Sequence, residues 1–271
     1  MLRVLPVRME NNLHQSSDNF VDAFNKIMNN DRNLPQITYI TFLGSLGKKG
    51  RFNPYHQQDV HEAMTCMSNA LSQSINNTCF EFKIESKVLC KRCLTDNEPT
   101  VEHCKFLQLS LCDFSEDTDR HSLSSAAQKP PIEVQSCIQN FFVSKSLSGE
   151  NAYQCDTCAK KTEAGKEIEM DNPKILFIHL LRFTTNEQGV VTKDNRRVIV
   201  NSGTILINNL AYTLKAAICH SGEYLNGGHY IAYVNSNDAW YKCNDNEVSM
   251  SKVEDINESE IYILSYEKNI S

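Results

Sequence analysis

The amino-acid sequence predicts an α+β fold, with helices early in the chain and strands late. Two observations carry that reading. In the first third, apolar residues recur at three- and four-residue intervals, the period of a helix with one buried face. Beyond Thr78 the texture changes to alternation, and the later stretch Ile175 to Phe183 is apolar on both faces, as a central buried strand should be. Helices followed by strands, rather than the two interleaved, mark the α+β class.

Taken in order, Phe20, Val21, Phe24, Ile27 and Met28 describe a first helix within Ser16 to Leu43, with Ser17 or Asp18 as its cap. A second helix begins near Gln57, after the breaker Pro54, because Val60, Met64, Met67 and Leu71 repeat at helical spacing; it runs to Ile75. Phe80, Phe82 and Ile84 then face one side of a strand, with Glu81, Lys83 and Glu85 on the other. Phe106 to Leu111 reads as a further strand, Asp113 to Pro131 as a polar loop, and Val134 to Phe142 as a short helix. After Lys174 the strands are Ile175 to Phe183, Val198 to Val200, Tyr212 to His220, His229 to Val234, Ala239 to Lys242 and Glu260 to Tyr266. No internal repeat is present.

The bulk numbers exclude several function classes. With 271 residues, 41% hydrophobic and 22% charged, the chain can bury a core as one extended domain, or as one domain with an inserted subdomain. A net charge of −6 and no dense Lys/Arg block argue against nucleic acid as a partner. The apolar runs fall short of the roughly 20 residues a membrane span needs, so no membrane partner is expected. Eleven cysteines, an odd number in a long chain, with two pairs at Cys-x-x-Cys spacing, favour metal ligation in a reducing compartment, cytoplasm or nucleus.

Cys90 and Cys93 form one pair, and Cys155 and Cys158 the other. Each can present two thiolates to one ion, and four sulfurs in a tetrahedron suit a structural Zn(II) with no open position for water. Unligated or redox thiols are the alternative. The remaining cysteines, Cys66, Cys79, Cys104, Cys112, Cys137, Cys219 and Cys243, read mostly as small core residues.

Late in the chain, GGHYIAYV (Gly227 to Val234) and WYKCNDNEV (Trp240 to Val248) flank the turn-forming run from Asn235 to Asp238 and read as the arms of a hairpin. His229 and Asn244 then lie side by side. Cysteine protease chemistry needs such a pair, an imidazole to deprotonate a thiol and an amide or carboxylate to orient that imidazole. Glycines at 227 and 228 leave room for a substrate backbone. A surface hairpin with an ordinary histidine is the competing reading.

Together these stretches resemble the ubiquitin-specific protease family in the order that family presents them: QQDVHEAM from Gln57, the knuckles LCKRC and QCDTC, PKILFIHLLRF from Pro173, GGHYIAYV, and WYKCNDNEV. The resemblance implies a papain-like architecture of thumb, palm and fingers, with a partial thumb over 1–78, zinc-ribbon fingers over 79–172 and a palm over 173–271. It also implies a deubiquitinating thiol hydrolase that cleaves after the terminal glycine of ubiquitin, with ubiquitin and ubiquitinated proteins as partners. By motif match His229 is the general base, Asn244 its orienter and Asp245 a helper in polarising water or the oxyanion. Gln58, Asp59, Glu62, Gly227, Gly228 and Tyr230 are substrate-binding. Asp59 and Glu62, three apart on one helix face, would hold the basic tail of ubiquitin, or else form a solvated acidic face. Tyr230 walls the glycine tunnel or simply packs its strand.

One family element is missing. The amino-terminal glycine-asparagine-threonine-cysteine-tyrosine box that carries the nucleophile does not occur, and the first cysteine is Cys66, already beyond QQDVHE. MLRVLPVRM resembles the segment that normally follows the box, which implies a sequence cut off just upstream. The alternatives are a shortened, catalytically inactive ubiquitin-binding protein and a zinc-stapled interaction domain unrelated to ubiquitin.

Overall fold

The structure is a computed structural model and describes residues 58–75, 80–111, 129–186, 188–200, 203–224 and 227–269, with side chains in the first segment up to Asn69. The helix expected within Ser16 to Leu43, the MLRVLPVRM segment, Cys79, Cys112 and most of the polar loop lie outside the described residues.

The elements run α1 (Val60–Ile75), β1 (Phe82–Cys90), β2 (Thr100–Cys104), β3 (Phe106–Ser110), β4 (Ile132–Glu133), α2 (Val134–Phe142), β5 (Lys145–Leu147), β6 (Tyr153–Cys155), β7 (Lys160–Thr162), β8 (Ala164–Met170) and β9 (Ile175–Leu181). The second half holds β10 (Phe183–Thr185), β11 (Val191–Lys193), β12 (Val198–Ile199), β13 (Thr204–Ile207), β14 (Leu210–Tyr224), β15 (Gly227–Ser236), β16 (Ala239–Asn244), β17 (Glu247–Ser251) and β18 (Ile261–Lys268).

An eight-stranded sheet dominates, in the order β17-β16-β15-β14-β18-β9-β3 with β13 also paired to β14. Its interior strands follow from composition. β9, ILFIHLL, is buried from Ile175 to Leu180, so it reads as apolar on both faces rather than alternating. Strand β3 pairs with β9 in parallel, Phe106 opposite Phe177, which demands a long crossover. That crossover holds α2 and the strands β5 to β8, and its β8 and β5 join β1 and β2 in a separate sheet of order β2-β1-β8-β5. The protein thus carries a sheet-rich body with a second, smaller sheet built from 82–104 and 145–170.

Two tight turns set the register of the large sheet. Asn208 and Asn209 between β13 and β14, and Asn237 and Asp238 between β15 and β16, all have positive φ (50, 62, 52 and 61°). Two successive positive values define the hairpin turn whose twist matches the strands, and Asn and Asp tolerate it best after glycine. Helix α2 buries Val134, Cys137 and Ile138 against the sheet, the spacing of one helix face. The core joins these to Leu107, Leu109, Leu176, Ile178, Leu180, Leu214, Ala217, Leu264 and Tyr266.

Several strands were not legible as such. β8, AGKEIEM, has one buried residue at each end and partly or fully exposed ones between, so it lacks a clean period of two; its pairing with β1 over seven residues makes it a strand. β17 is an edge strand with four exposed residues out of five, held by pairing to β16 alone.

Candidate active site

The site is built where β15 and β16 meet the start of α1. The register Ser236 opposite Ala239 runs back to Ala232 opposite Cys243, which sets Asn244 at the end of its arm near His229. His229 Nε2 and Asn244 Oδ1 are 2.5 Å apart. An amide oxygen only accepts, so Nε2 carries the proton and Nδ1 keeps its lone pair. Asp245 follows in a turn with φ 48°, and its carboxylate reaches to 4.0 Å from the same Nε2. The imidazole side chain is 46% exposed and the Asp245 side chain 79% exposed, so both open to solvent.

Asp59 differs from the expectation of an acid on the helix face. It precedes α1 and caps it: Oδ1 accepts the backbone N–H of His61 (2.8 Å) and of Glu62 (3.2 Å). Its Oδ2 accepts the hydroxyls of Tyr262 (2.9 Å) and Tyr230 (3.2 Å). Both carboxylate oxygens are therefore engaged inside the protein, tying the start of α1 to β18 and to the residue next to His229. Burial, with the Asp59 charge second, raises the pKa of both phenols, which stay protonated donors. Glu62 is exposed on the first turn, and Gln58 is half-buried beside the cap.

Sequence reasoning gave Gly227 and Gly228 to substrate approach. At Gly228 the space is already filled: a Cβ there would collide with His220 Nε2 and sit 2.5 Å from the Ser221 carbonyl oxygen. His220 is 1% exposed, and burial lowers its pKa, so it packs as a neutral ring against Tyr230 at 4.7 Å between centroids. Gly228→Ala is expected to cost about 3 kcal/mol of stability by overpacking against a neighbour that is itself fully buried. Chemical denaturation would measure it, and a loss below about 0.5 kcal/mol, the range of ordinary surface changes, would show that His220 yields.

Sequence reasoning also missed a buried histidine under α1. His179 interrupts the apolar run of β9, stacks on His61 at 4.3 Å, and is pulled down to about 4 by burial, with the nearby His61 charge second. Tyr262 meets it edge-on at 4.7 Å. The signal in the sequence was a histidine inside an otherwise aliphatic run. His61 also lines an open groove of about 670 Å³ between α1 and the strands β2 and β3, shared with Thr65, Asn69, His103 and Phe106. His229 is not among its lining residues.

Where the end of β1 meets the β6–β7 pair, Cys90 Sγ lies 4.0 Å from Cys158 Sγ, and Cys93 Sγ 3.6 Å from Cys155 Sγ. All four sulfurs lie within 4.8 Å of one another. A disulfide requires an S–S separation of about 2 Å, so these are separate thiols. A tetrahedron of Zn–S bonds near 2.3 Å has edges of about 3.8 Å, and the donor set fits that ion in both chemistry and spacing.

With this geometry in place, the sequence model described as ubiquitin carboxyl-terminal hydrolase matches residues 2–266. The chain belongs to that family. Among ubiquitin carboxyl-terminal hydrolases, number 12 of Salmo salar is 28% identical over 264 residues, covering 88% of this chain and 71% of the relative. Number 25 of Arabidopsis thaliana is 34% identical over 149 residues, covering 50% of this chain and 22% of the relative. The SAGA Ubp8/Sgf11/Sus1/Sgf73 DUB module bound to ubiquitin aldehyde has the same fold, with a TM-score of 0.73 at 23% identity, covering 96% of this chain and 62% of that chain. This ubiquitin carboxyl-terminal hydrolase chain thus spans less than two thirds of the Arabidopsis relative and of the structural neighbour. Of its non-knuckle cysteines, Cys137 and Cys219 are buried, whereas Cys66, Cys104 and Cys243 are half-buried.

Proposed function

We propose that this chain belongs to a cysteine-type deubiquitinating hydrolase that cleaves the bond after the carboxy-terminal glycine of ubiquitin. The 2.5 Å contact of His229 with Asn244, within a chain of this family, carries the reading. Asn244 holds the proton on Nε2 and turns Nδ1 outward as a base. Nδ1 takes the proton of a thiol, the thiolate attacks the glycine carbonyl carbon, and the imidazolium returns the proton to the departing amine. Water then hydrolyses the thioester by the same route, with Asp245 beside the imidazole to polarise it. Gly227 and Tyr230 border the approach while Gly228 makes room for the His220 ring, and Gln58, Asp59 and Glu62 stand on the side that a cationic tail would follow, Glu62 with its exposed carboxylate and Asp59 through the tyrosines it holds.

In the same reading, 1–78 belong to a thumb, 79–172 to fingers and 173–271 to a palm of papain-like design. Cys90, Cys93, Cys155 and Cys158 would hold a zinc ion in a ribbon at the fingers. That ion would brace two loops poor in apolar contacts and take no part in the reaction. Ubiquitin and ubiquitinated proteins are the partners, in the cytoplasm or nucleus.

A second reading, ubiquitin binding without hydrolysis by the 271-residue chain itself, is favoured by the cysteine inventory. The sequence has no cysteine before Cys66, and Cys219 is buried with its thiol pushed up to about 12 by burial. Ubiquitin ending in a vinyl electrophile separates the two. The 271-residue chain is expected to bind ubiquitin and remain unlabelled. A protein carrying the cysteine box ahead of this sequence is expected to be labelled, with His229→Ala slowing hydrolysis roughly 10³-fold or more at unchanged ubiquitin affinity. An unchanged rate in that variant would remove His229 from the chemistry, and labelling of the 271-residue chain would reveal a nucleophile within it.

A further inference from the structure

The end of β14 that faces the His229 strand is irregular. Its register with β15 slips between Ser221 and Tyr224, and such a bulge leaves backbone groups outside the ladder. Two of the carbonyls there are taken by one side chain. Lys193, the last residue of β11, donates from Nζ to the His220 oxygen at 2.7 Å and to the Gly222 oxygen at 2.8 Å. Its ammonium also lies 5.9 Å from the centre of the Phe183 ring on the facing strand β10, and Phe183 meets the His220 ring edge-on at 5.7 Å. Burial, with the Arg182 charge second, lowers its pKa, as expected of a cation drawn in from water.

From those carbonyls the path to the base is short. Gly222 has φ +133°, and a Cβ on it would lie 2.9 Å from Gly228 Cα. Gly228 immediately precedes His229, and Ser221 is the residue paired with His229 across the strands. The hairpin 183–193, the bulge 221–224 and the start of β15 are therefore stacked in sequence, with the ammonium between the first two.

We propose that Lys193 is a positioning residue: its ammonium fastens the bulge 221–224 to the hairpin 183–193, so that both walls beside His229 move as one body and hold the imidazole toward Asn244. The consequence for catalysis rests on His229 as general base; the fastening does not. Lysine suits the task because three donors on one flexible stem can serve two carbonyls that diverge from a bulge.

Lys193→Met keeps the stem over Phe183 and removes every donor. In the 271-residue chain, amide hydrogen exchange at Ser221, Gly222, Gly228 and His229 is expected to speed up about tenfold, while exchange in α2 stays as it was. The ¹⁵N resonances of the His229 ring are expected to shift in the same variant, which a purely structural contribution far from the ring would not cause. Lys193→Arg, which restores donors, is expected to recover most of the protection. Unchanged exchange at the four amides in the Met variant would overturn the proposal, and so would an equal rise in α2, since that would make the lysine a contributor to global stability only. Failure of His229 as a base would appear in the hydrolysis rate of the box-carrying protein and leave the exchange result standing, so the two ideas fail separately.

Discussion

Arg182→Met is expected to destabilise the protein by about 4 kcal/mol, because buried carbonyls left without donors cost roughly 1–3 kcal/mol each. Arg182 is 0% exposed, the largest fully buried side chain among the described residues. Its hydrogen bonds go to backbone carbonyls, with the Asp194 charge near enough to favour the guanidinium. Nε donates to the Ile261 carbonyl (2.5 Å), Nη1 to those of Asp194 and Arg196 (2.8 Å each), and Nη2 to that of Glu258 (2.9 Å). Burial lowers its pKa to about 10, still far above neutrality, so the charge persists and is shared out over four backbone dipoles. One guanidinium thereby closes two chain segments, 194–196 and 258–261, onto the break between β9 and β10. Methionine fills much of the volume but donates nothing. The denaturant midpoint would report the loss, and a change below about 1 kcal/mol would mean that water reaches those carbonyls.

Loss of the zinc ion proposed at Cys90, Cys93, Cys155 and Cys158 is the other large expected effect. The region around Cys90 and Cys155 is poor in apolar core, and structural zinc sites of this type contribute apparent binding energies of order 10 kcal/mol to the folded form. One zinc per chain is expected by elemental analysis. Cys93→Ser or a strong chelator is expected to expose the loops at 91–96 and 156–159 to protease, while the large sheet keeps its structure. A protein that carries no metal as isolated, with all four thiols reacting freely and no new cleavage, would remove zinc from the description.

Much of the sheet and the hairpin could be read because each rests on local chemistry. Val134 to Phe142 is a helix with the bounds its periodicity gives, and the turn after β15 falls on Asn237 and Asp238, where the residues allow positive φ. The meeting of Asn244 with His229 follows from that turn, since the turn sets the register. What escaped depends on residues far apart in the chain. Asp59 was visible as an acid on a helix face, but its bonds to Tyr230 and Tyr262 span 171 and 203 residues, and no local pattern encodes them. Gly228 was visible as a glycine, but its reason, the His220 ring, lies on the neighbouring strand. β8 escaped because a strand exposed on parts of both faces has no period to detect.

The strand order places the last element of the chain in the middle of the large sheet: β18 lies between β14 and β9, paired to both. As the polypeptide leaves the ribosome, the strands from 204 to 251 can zip into one half of the sheet and β3 with β9 into another, but no strand pairing bridges β14 and β9 until Ile261 to Lys268 has been synthesised. The same segment delivers Tyr262 to Asp59, where it joins Tyr230 of the His229 strand on the carboxylate that caps α1. Pairing across the large sheet is thus coupled to synthesis of residues 261–268, and a nascent chain stalled before residue 261 would expose the edges of β14 and β9 as unpaired strands open to aggregation.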